Sequence, residues 1–480
     1  MEKVTYILLF VILTINTVCG QNELNLGALF IEGINTTSAE RQKEIVSQVF
    51  TDKLIAEKGT EGLVNLFKTL NSSYSPLEYH HLEIIQFNKP SGVVYVMHIY
   101  AKKKGEVMWK DFQLYVDNPP NQKISKLAFI AEVSEPINLP NGAIEHEETL
   151  NWLNNYVSKL QFENDLSGSI LIAKGNKVLL ERYFGFSDLE KTLPIDENSL
   201  FGIASGGKMF TALCIAKLVE ENKIKYNDNI TKYIDGFADK DKASKITVHH
   251  LLSHTSGVEQ YWWGQNSEAF MKANSINEHL KMVLEVGLKG EAGEVYEYNN
   301  SNYILLGAIV EKVSGMDYYT FVKKNIFDKA NMTNSGYFYP NHKNTVTPLK
   351  RSEKGNNWVK AESGTGRGSS AGGAYSNARD MFSFSLALVN NQLVSFETFN
   401  NMISIKNKGF DVTEDYGYGF IIQKSGQDFT YGHGGTAKGV NFEFRYFPNQ
   451  KISLIVFSNQ DNGAFDDLKR NSIKLISGDR

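Results

Sequence analysis

Ser205-Gly206-Gly207-Lys208, followed at helical spacing by apolar Met209, Phe210, Leu213, Cys214, Ile215, Leu218 and Val219, sets a serine and a lysine at the head of a helix. Nowhere else in the 480 residues does a lysine follow a serine by three positions. On a helix that spacing puts the ammonium beside the hydroxyl on one face. A serine hydroxyl is a poor nucleophile until a neighbouring base takes its proton, and a partly desolvated lysine can be that base. The helix N-terminus adds unpaired N–H groups and a positive dipole end, which favour a developing oxyanion. Read alone, the same four residues make a serine cap and a solvent-facing lysine. Gly206 and Gly207 speak against that plainer reading, because each costs a helix about 1 kcal/mol. Adjacent glycines suit a place where something must approach the backbone closely.

Two downstream boxes add chemistry. Tyr298-Asn299-Asn300 precedes an apolar run that ends at Val313. A tyrosine there can share a proton relay, and an asparagine amide can hold a substrate carbonyl and orient the lysine. Taken alone, the box is equally an asparagine-rich helix cap. His433-Gly434-Gly435-Thr436 ends the strand-like run Phe429–Gly432. Its glycines let a substrate lie against a strand edge, and the Thr436 N–H can complete an oxyanion hole with the Ser205 N–H. By itself this box also reads as an ordinary bulge.

In this order the three boxes resemble the penicillin-recognising serine hydrolases, in the branch that holds class C β-lactamases, D-alanyl-D-alanine carboxypeptidases and related esterases. Val248-His249-His250-Leu251-Leu252-Ser253-His254-Thr255-Ser256-Gly257, Ser370-Ala371-Gly372-Gly373-Ala374-Tyr375-Ser376 and Gly417-Tyr418-Gly419-Phe420 are similar to that family as well. The resemblance runs from about Glu148 to Gly478. It implies Ser205 as nucleophile, Lys208 and Tyr298 as the acid/base pair, Asn300 as a substrate-orienting amide, and His433 as the polar group of the third box. Gly434, Gly435 and Thr436 would line the substrate and the oxyanion. The implied reaction passes through an acyl-enzyme that water releases. One departure narrows it: many relatives carry lysine where His433 stands, to pair with a substrate carboxylate. Histidine weakens that clamp at neutral pH. The expectation is therefore an esterase or a peptidase for D-amino-acid peptides, with β-lactam hydrolysis, or a weakly catalytic binding or regulatory protein, as the alternatives.

The expected fold is α+β: an antiparallel sheet flanked by helices, with a helical insertion and a small α+β domain ahead of it. A hairpin around Gly175-Asn176 opens the larger domain, strands at Phe442–Phe447 and Ile452–Phe457 close it, and a final helix covers Asp466–Ile476. Those terminal strands should meet in one sheet. Residues 148–478 form the hydrolase domain, 136–147 the linker, and 22–135 the small domain. The last contains two helical stretches (Ser38–Ala56 and Thr60–Leu70), then strand-like runs at Leu82–Phe87, Gly92–Ala101, Val107–Val116 and Ile124–Val133 with a turn at Asn118-Pro119-Pro120-Asn121. No nucleophile, metal cluster or glycine-rich loop marks it, and a protein or cell-wall partner is the expectation for it.

Residues 1–20 have the form of a signal peptide. Lys3 supplies the charge, Tyr6–Ile15 the apolar stretch, and Val18-Cys19-Gly20 the lead to a cut at Gln21. Lipidation of Cys19 is the lesser alternative. The protein is expected to be exported, periplasmic or extracellular. Its 50 basic and 54 acidic residues are scattered, which argues against nucleic acid or an anionic membrane as partner. No metal or cofactor is expected; the substrate is a small molecule or peptide.

Two rival constellations are present in the sequence. Gly368-Ser369-Ser370-Ala371-Gly372 fits the nucleophile elbow of α/β-hydrolases, with Asp411 or Asp415 and His433 in the required chain order. The polar, glycine-rich stretch before it is no buried strand, and repeated βα units are missing. His249, His250 and His254 suggest a metal site by spacing, but no glutamate accompanies them as in H-E-x-x-H, and a structural hydrogen-bond role is favoured. The loop Tyr261-Trp262-Trp263-Gly264 is expected to line the pocket.

Overall fold

The computed structural model describes residues 21–89, 92–103, 109–117, 123–133, 139–261, 267–337, 344–352, 357–362, 366–407, 414–425, 428–461 and 463–478. The expected signal segment, the Asn118–Asn121 turn, Asp411 and Trp262–Gly264 lie outside these residues. The chain forms two compact units, Met1–Glu132 and Val133–Arg480.

The first unit runs α1 (Gln21–Asn35), α2 (Ala39–Val49), α3 (Asp52–Lys58), α4 (Thr60–Tyr74), then β1 (Leu77–Lys89), β2 (Gly92–Lys103), β3 (Trp109–Val116) and β4 (Ile124–Val133), a sheet in chain order. Phe30, Ile45, Val49, Phe50 and Phe67 pack with Met97, Ile99, Phe112 and Leu114 of the sheet. The single helix expected over Ser38–Ala56 is two. Phe50 forms a bridge to Ile124, and the Thr51 N–H donates to the Ile124 carbonyl at 3.0 Å, so the chain leaves the helix to meet β4. The Thr51 side chain then caps α3 by accepting from the Leu54 N–H.

The second unit begins with α5 (Glu147–Asn164), β5 (Gly168–Lys174), β6 (Lys177–Phe184), β7 (Phe201–Ala204) and α6 (Lys208–Glu220). A helical stretch follows: α7 (Lys240–Ala243), α8 (Val248–Leu252), α9 (Ser267–Lys272), α10 (Ile276–Val286), α11 (Asn300–Ser314) and α12 (Tyr318–Val322). Three short strands, β8 (Leu349–Arg351), β9 (Trp358–Lys360) and β10 (Ala374–Ser376), lead to α13 (Ala378–Val389) and α14 (Phe396–Met402). The chain closes with β11 (Glu414–Tyr416), β12 (Ile421–Ser425), β13 (Asp428–Ala437), β14 (Val440–Phe447), β15 (Ile452–Ser458) and α15 (Gly463–Ser477).

Seven of these strands make one antiparallel sheet in the order β11-β12-β13-β14-β15-β5-β6. Ile455 of β15 faces Leu171 of β5, so the first and last strands of the unit are neighbours, as their alternation predicts. Every residue of β15 is buried, because each face of the sheet carries a helical layer. Ile170, Ile172, Leu454 and Val456 pack on α5 and α15; Leu171, Phe442, Phe444, Ile455 and Phe457 face the other way, onto the core that holds α6 and α11. Helix α6 is buried on all sides from Lys208 to Ala216. Burying Phe210, Leu213, Ile215 and Leu218 contributes about 2 kcal/mol each. A helix enclosed in this way is a rigid base for a lysine in its first turn.

Candidate active site

Strand β7 delivers Ser205 through a strained link. Ala204 adopts φ 42° and ψ −125°, a region L-residues rarely occupy, and Ser205–Gly207 then make one tight 3-10 turn before α6. The helix proper therefore starts at Lys208, three residues later than its serine. What approaches the paired glycines is the protein itself. A Cβ on Gly206 would lie 2.5 Å from the Phe442 ring, and one on Gly435 would lie 2.1 Å from the Ile203 carbonyl and 2.9 Å from the Ser205 nitrogen. The third box is thus pressed against the serine turn.

Lys208 is fully buried. Its Nζ lies 3.2 Å from Ser205 Oγ, 2.7 Å from Asn300 Oδ1 and 2.6 Å from the Ala371 carbonyl. Burial holds the amine well below its ordinary pKa. The Tyr298 and Tyr303 rings lie 4.8 and 5.5 Å from Nζ and favour the ammonium, by about 0.5–2 kcal/mol. Desolvating a cation costs several kcal/mol, so the neutral amine wins. That form has two N–H donors and one lone pair. Asn300 Oδ1 and the Ala371 carbonyl accept the donors, and the lone pair is left to accept from the Ser205 hydroxyl.

The second box bends around this amine. Asn299 caps α11, its Oδ1 accepting from the Ser301 N–H while its Nδ2 donates to the Val258 carbonyl at 2.6 Å. Its extended backbone (φ −145°, ψ 122°) sends that side chain away from those of its neighbours. Tyr298 hydrogen-bonds Ser205, and burial pushes its phenol up, which keeps the hydroxyl protonated at neutral pH. Ser205, Tyr298 and Asn300 are each partly exposed, so a substrate can reach them.

The third box departs from expectation at His433. Its ring is 2% exposed; Nε2 lies 3.2 Å from the Tyr416 hydroxyl, and Nδ1 bonds the Gly434 carbonyl. With both nitrogens engaged inside the protein, the ring does not present a polar group to a substrate. Burial pushes its pKa down to about 3. It is no cation for a substrate carboxylate. The strand offers its edge instead. Strand β12 pairs with β13 only as far as Gly432, so His433–Ala437 have β14 on one side and the Ser205 turn close by. Gly434 is partly exposed there and Thr436 is exposed.

The rival serine does other work. Ser370 is fully buried, its Oγ directed at Gly307 of α11 with no hydrogen-bond partner among the described residues. The backbone of its loop is what reaches the site: the Ala371 carbonyl takes Lys208, while the Ser370 carbonyl accepts from Thr211 at 2.6 Å. Backbone acceptors carry no residue-type signal, so Ala371 was beyond sequence reasoning. The three histidines also diverge. His249 meets the Tyr418 hydroxyl at 2.7 Å, His250 closes a capping box on Thr247, and His254 bonds the second box. Tyr261 does not line the pocket: it is fully buried, its hydroxyl 3.2 Å from His279 Nδ1.

A serine–lysine pair at the head of a buried helix, set below an antiparallel sheet closed by its own terminal strands, defines a serine hydrolase of the penicillin-recognising type. The chain belongs to the Beta-lactamase family, whose model matches residues 153–477. It is 30% identical over 323 residues to a penicillin-binding protein of Bacillus subtilis strain 168, covering 62% of this chain and 69% of that one. The crystal structure of a penicillin-binding protein from Bacillus halodurans is similar with a TM-score of 0.60 and 29% identity, over 67% of this chain and 98% of that one. A D-amino acid amidase from Ochrobactrum anthropi, at 20% identity, a TM-score of 0.59 and coverage of 68% and 99%, shares the fold.

Proposed function

We propose that this serine hydrolase is exported and acts through an acyl-enzyme on Ser205, with an ester or an amide of a D-amino acid as substrate. The observation that carries the reading is the buried Lys208 Nζ 3.2 Å from the Ser205 Oγ, with burial favouring the neutral amine that can accept the hydroxyl proton. Lys208 takes the serine proton as Oγ bonds the substrate carbonyl carbon. The carbonyl electron pair moves onto oxygen, where the Ser205 and Thr436 N–H groups receive it. The oxyanion collapses, the acyl–leaving group bond breaks, and Tyr298 hands the departing amine or alcohol a proton that Lys208 replaces. Water then repeats the sequence, and Ser205 regains its proton as the acid departs.

Asn300 Oδ1 is occupied by Lys208, so its amide nitrogen is the end that can hold the substrate carbonyl. The neutral His433 favours substrates without a free carboxylate at that position, hence small esters and amides over β-lactams. The amidase that shares the fold agrees with this choice. Export rests on Lys3 and the Tyr6–Ile15 stretch, and a mature chain starting at Gln21 would be its sign. For residues 22–135, a protein or cell-wall partner stays part of the proposal.

The test compares Ser205→Ala with Ser370→Ala on a chromogenic ester and a D-alanyl amide, alongside fluorophosphonate labelling. Activity and label should vanish in Ser205→Ala and persist in Ser370→Ala; the reverse pattern would overturn the assignment.

A further inference from the structure

His254 follows the short helix α8 and has no place in the chemistry above, yet its side chain and carbonyl meet the second box and the residues that flank it, from Tyr296 to Tyr303. Its backbone carbonyl accepts from the Glu297 N–H at 2.8 Å. Its Nδ1 lies 3.1 Å from the Asn299 backbone nitrogen and 3.2 Å from Asn302 Nδ2. Its ring centroid is 4.5 Å from that of Tyr298, tilted by 40°, and 4.8 Å from that of Tyr416, whose hydroxyl holds His433. The ring is 1% exposed, and the residue takes φ +59°, a left-handed conformation that histidine, like asparagine and aspartate, adopts more readily than most side chains.

We infer that His254 is the positioning residue of the Tyr298–Asn300 segment: its Nδ1 accepts from the N–H of the residue between them and so fixes where the tyrosine hydroxyl and the asparagine amide meet Ser205 and Lys208. Asn299 is the hinge of that arrangement. Its side chain is already committed to Val258 and to the cap of α11, so its N–H is the remaining handle on the backbone. Nδ1 must be unprotonated to accept, and burial of the ring favours its neutral form. Asn302 joins the same acceptor from one turn further along α11, while the Ser256 hydroxyl bonds its Oδ1. One loop thereby holds the cap and first turn of α11 from two sides. Loss of the acceptor leaves a buried N–H unsatisfied and frees the segment to shift, and a shift of about 1 Å at reacting groups costs roughly a hundredfold in rate.

The proposal rests on the Ser205–Tyr298 reading, and the test separates the two. Asparagine tolerates positive φ and places its Oδ1 close to where Nδ1 stands; glutamine puts its carbonyl one bond farther out, and leucine has no acceptor. On p-nitrophenyl acetate, His254→Asn should retain kcat within about tenfold. His254→Gln and His254→Leu should lose about a hundredfold in kcat, with KM changed by less than about threefold. Thermal melting accompanies each variant, and if His254→Leu does not fold, the asparagine–glutamine pair decides. Equal activity of those two, or a wild-type rate in His254→Leu, overturns the inference. Activity surviving in Ser205→Ala would instead overturn the reading on which it rests.

Discussion

If Lys208 is neutral in the folded protein, its replacement by methionine will change how stability responds to alkali. The folded pKa lies well below 10.5, whereas the unfolded chain titrates near the ordinary lysine value. Between those two values the unfolded state binds the extra proton, so stability rises with pH across the window and the contribution is lost as pH falls toward the folded pKa. A single group supplies about 1.4 kcal/mol per pH unit at most between the folded and unfolded values. Cys214 and the buried tyrosines have raised pKa values and oppose this slope, but they do so equally in both proteins. The informative quantity is therefore the difference between wild type and Lys208→Met, from urea unfolding at several pH values in this range. It should grow with pH, by no more than that slope. A flat difference would mean that the folded protein holds an ammonium, and the base assigned to Ser205 would be wrong. Methionine keeps the length of the stem but leaves Asn300 Oδ1 and the Ala371 carbonyl without their donor, which costs about 1–3 kcal/mol at every pH and does not alter the slope. The same variant should lower kcat by about 10²–10⁴ on a chromogenic ester.

Further outcomes are expected. Gly206→Ala should destabilise by about 1–3 kcal/mol in a melting experiment, because its methyl would sit 2.5 Å from the buried Phe442 ring. Ser370→Ala removes a buried hydroxyl that has no partner, so its unfolding free energy should stay within about 1 kcal/mol of wild type or rise. His433, with its pKa held down to about 3, binds no proton in the folded state where the unfolded chain does below about 6.5. Stability should fall as pH drops through that interval, and His433→Phe should flatten the fall; a ring that titrates near 6.5 by NMR would contradict this. Tyr298→Phe should cut kcat by about 10²–10⁴ while leaving the fold intact, and a near-wild-type rate would remove the hydroxyl from the proton path.

Much of the architecture was legible because it is periodic. The hairpin around Gly175-Asn176 and the closing strands alternate, and they appear as β5, β6, β14 and β15, the closing pair with boundaries within two residues of the sequence reading. The break at Phe50 was not legible, since the α2–α3 stretch keeps helical spacing and only a bridge to distant Ile124 interrupts it. The small domain's first helix was not legible because Gly27 and Gly33, poor helix formers, interrupt its apolar spacing.

At the site, side-chain identity and order named Ser205, Lys208, Tyr298 and Asn300 because that chemistry needs those functional groups, whatever surrounds them. Environment was decided in three dimensions. His433 carries the same imidazole whether it faces a substrate or a buried tyrosine, and only the packing of Tyr416 and β13 makes it inward-facing and neutral. Ser370 fits a nucleophile pattern, yet the closeness of Gly307 turns its hydroxyl into the core. The acceptor at Ala371 is a main-chain carbonyl, common to every residue and placed only by the fold. The sequence by itself determined which functional groups are present and in what order. Tertiary structure decided which are dry, which are neutral and which touch, because desolvation and hydrogen bonding depend on neighbours distant in the chain, 163 positions apart for Lys208 and Ala371.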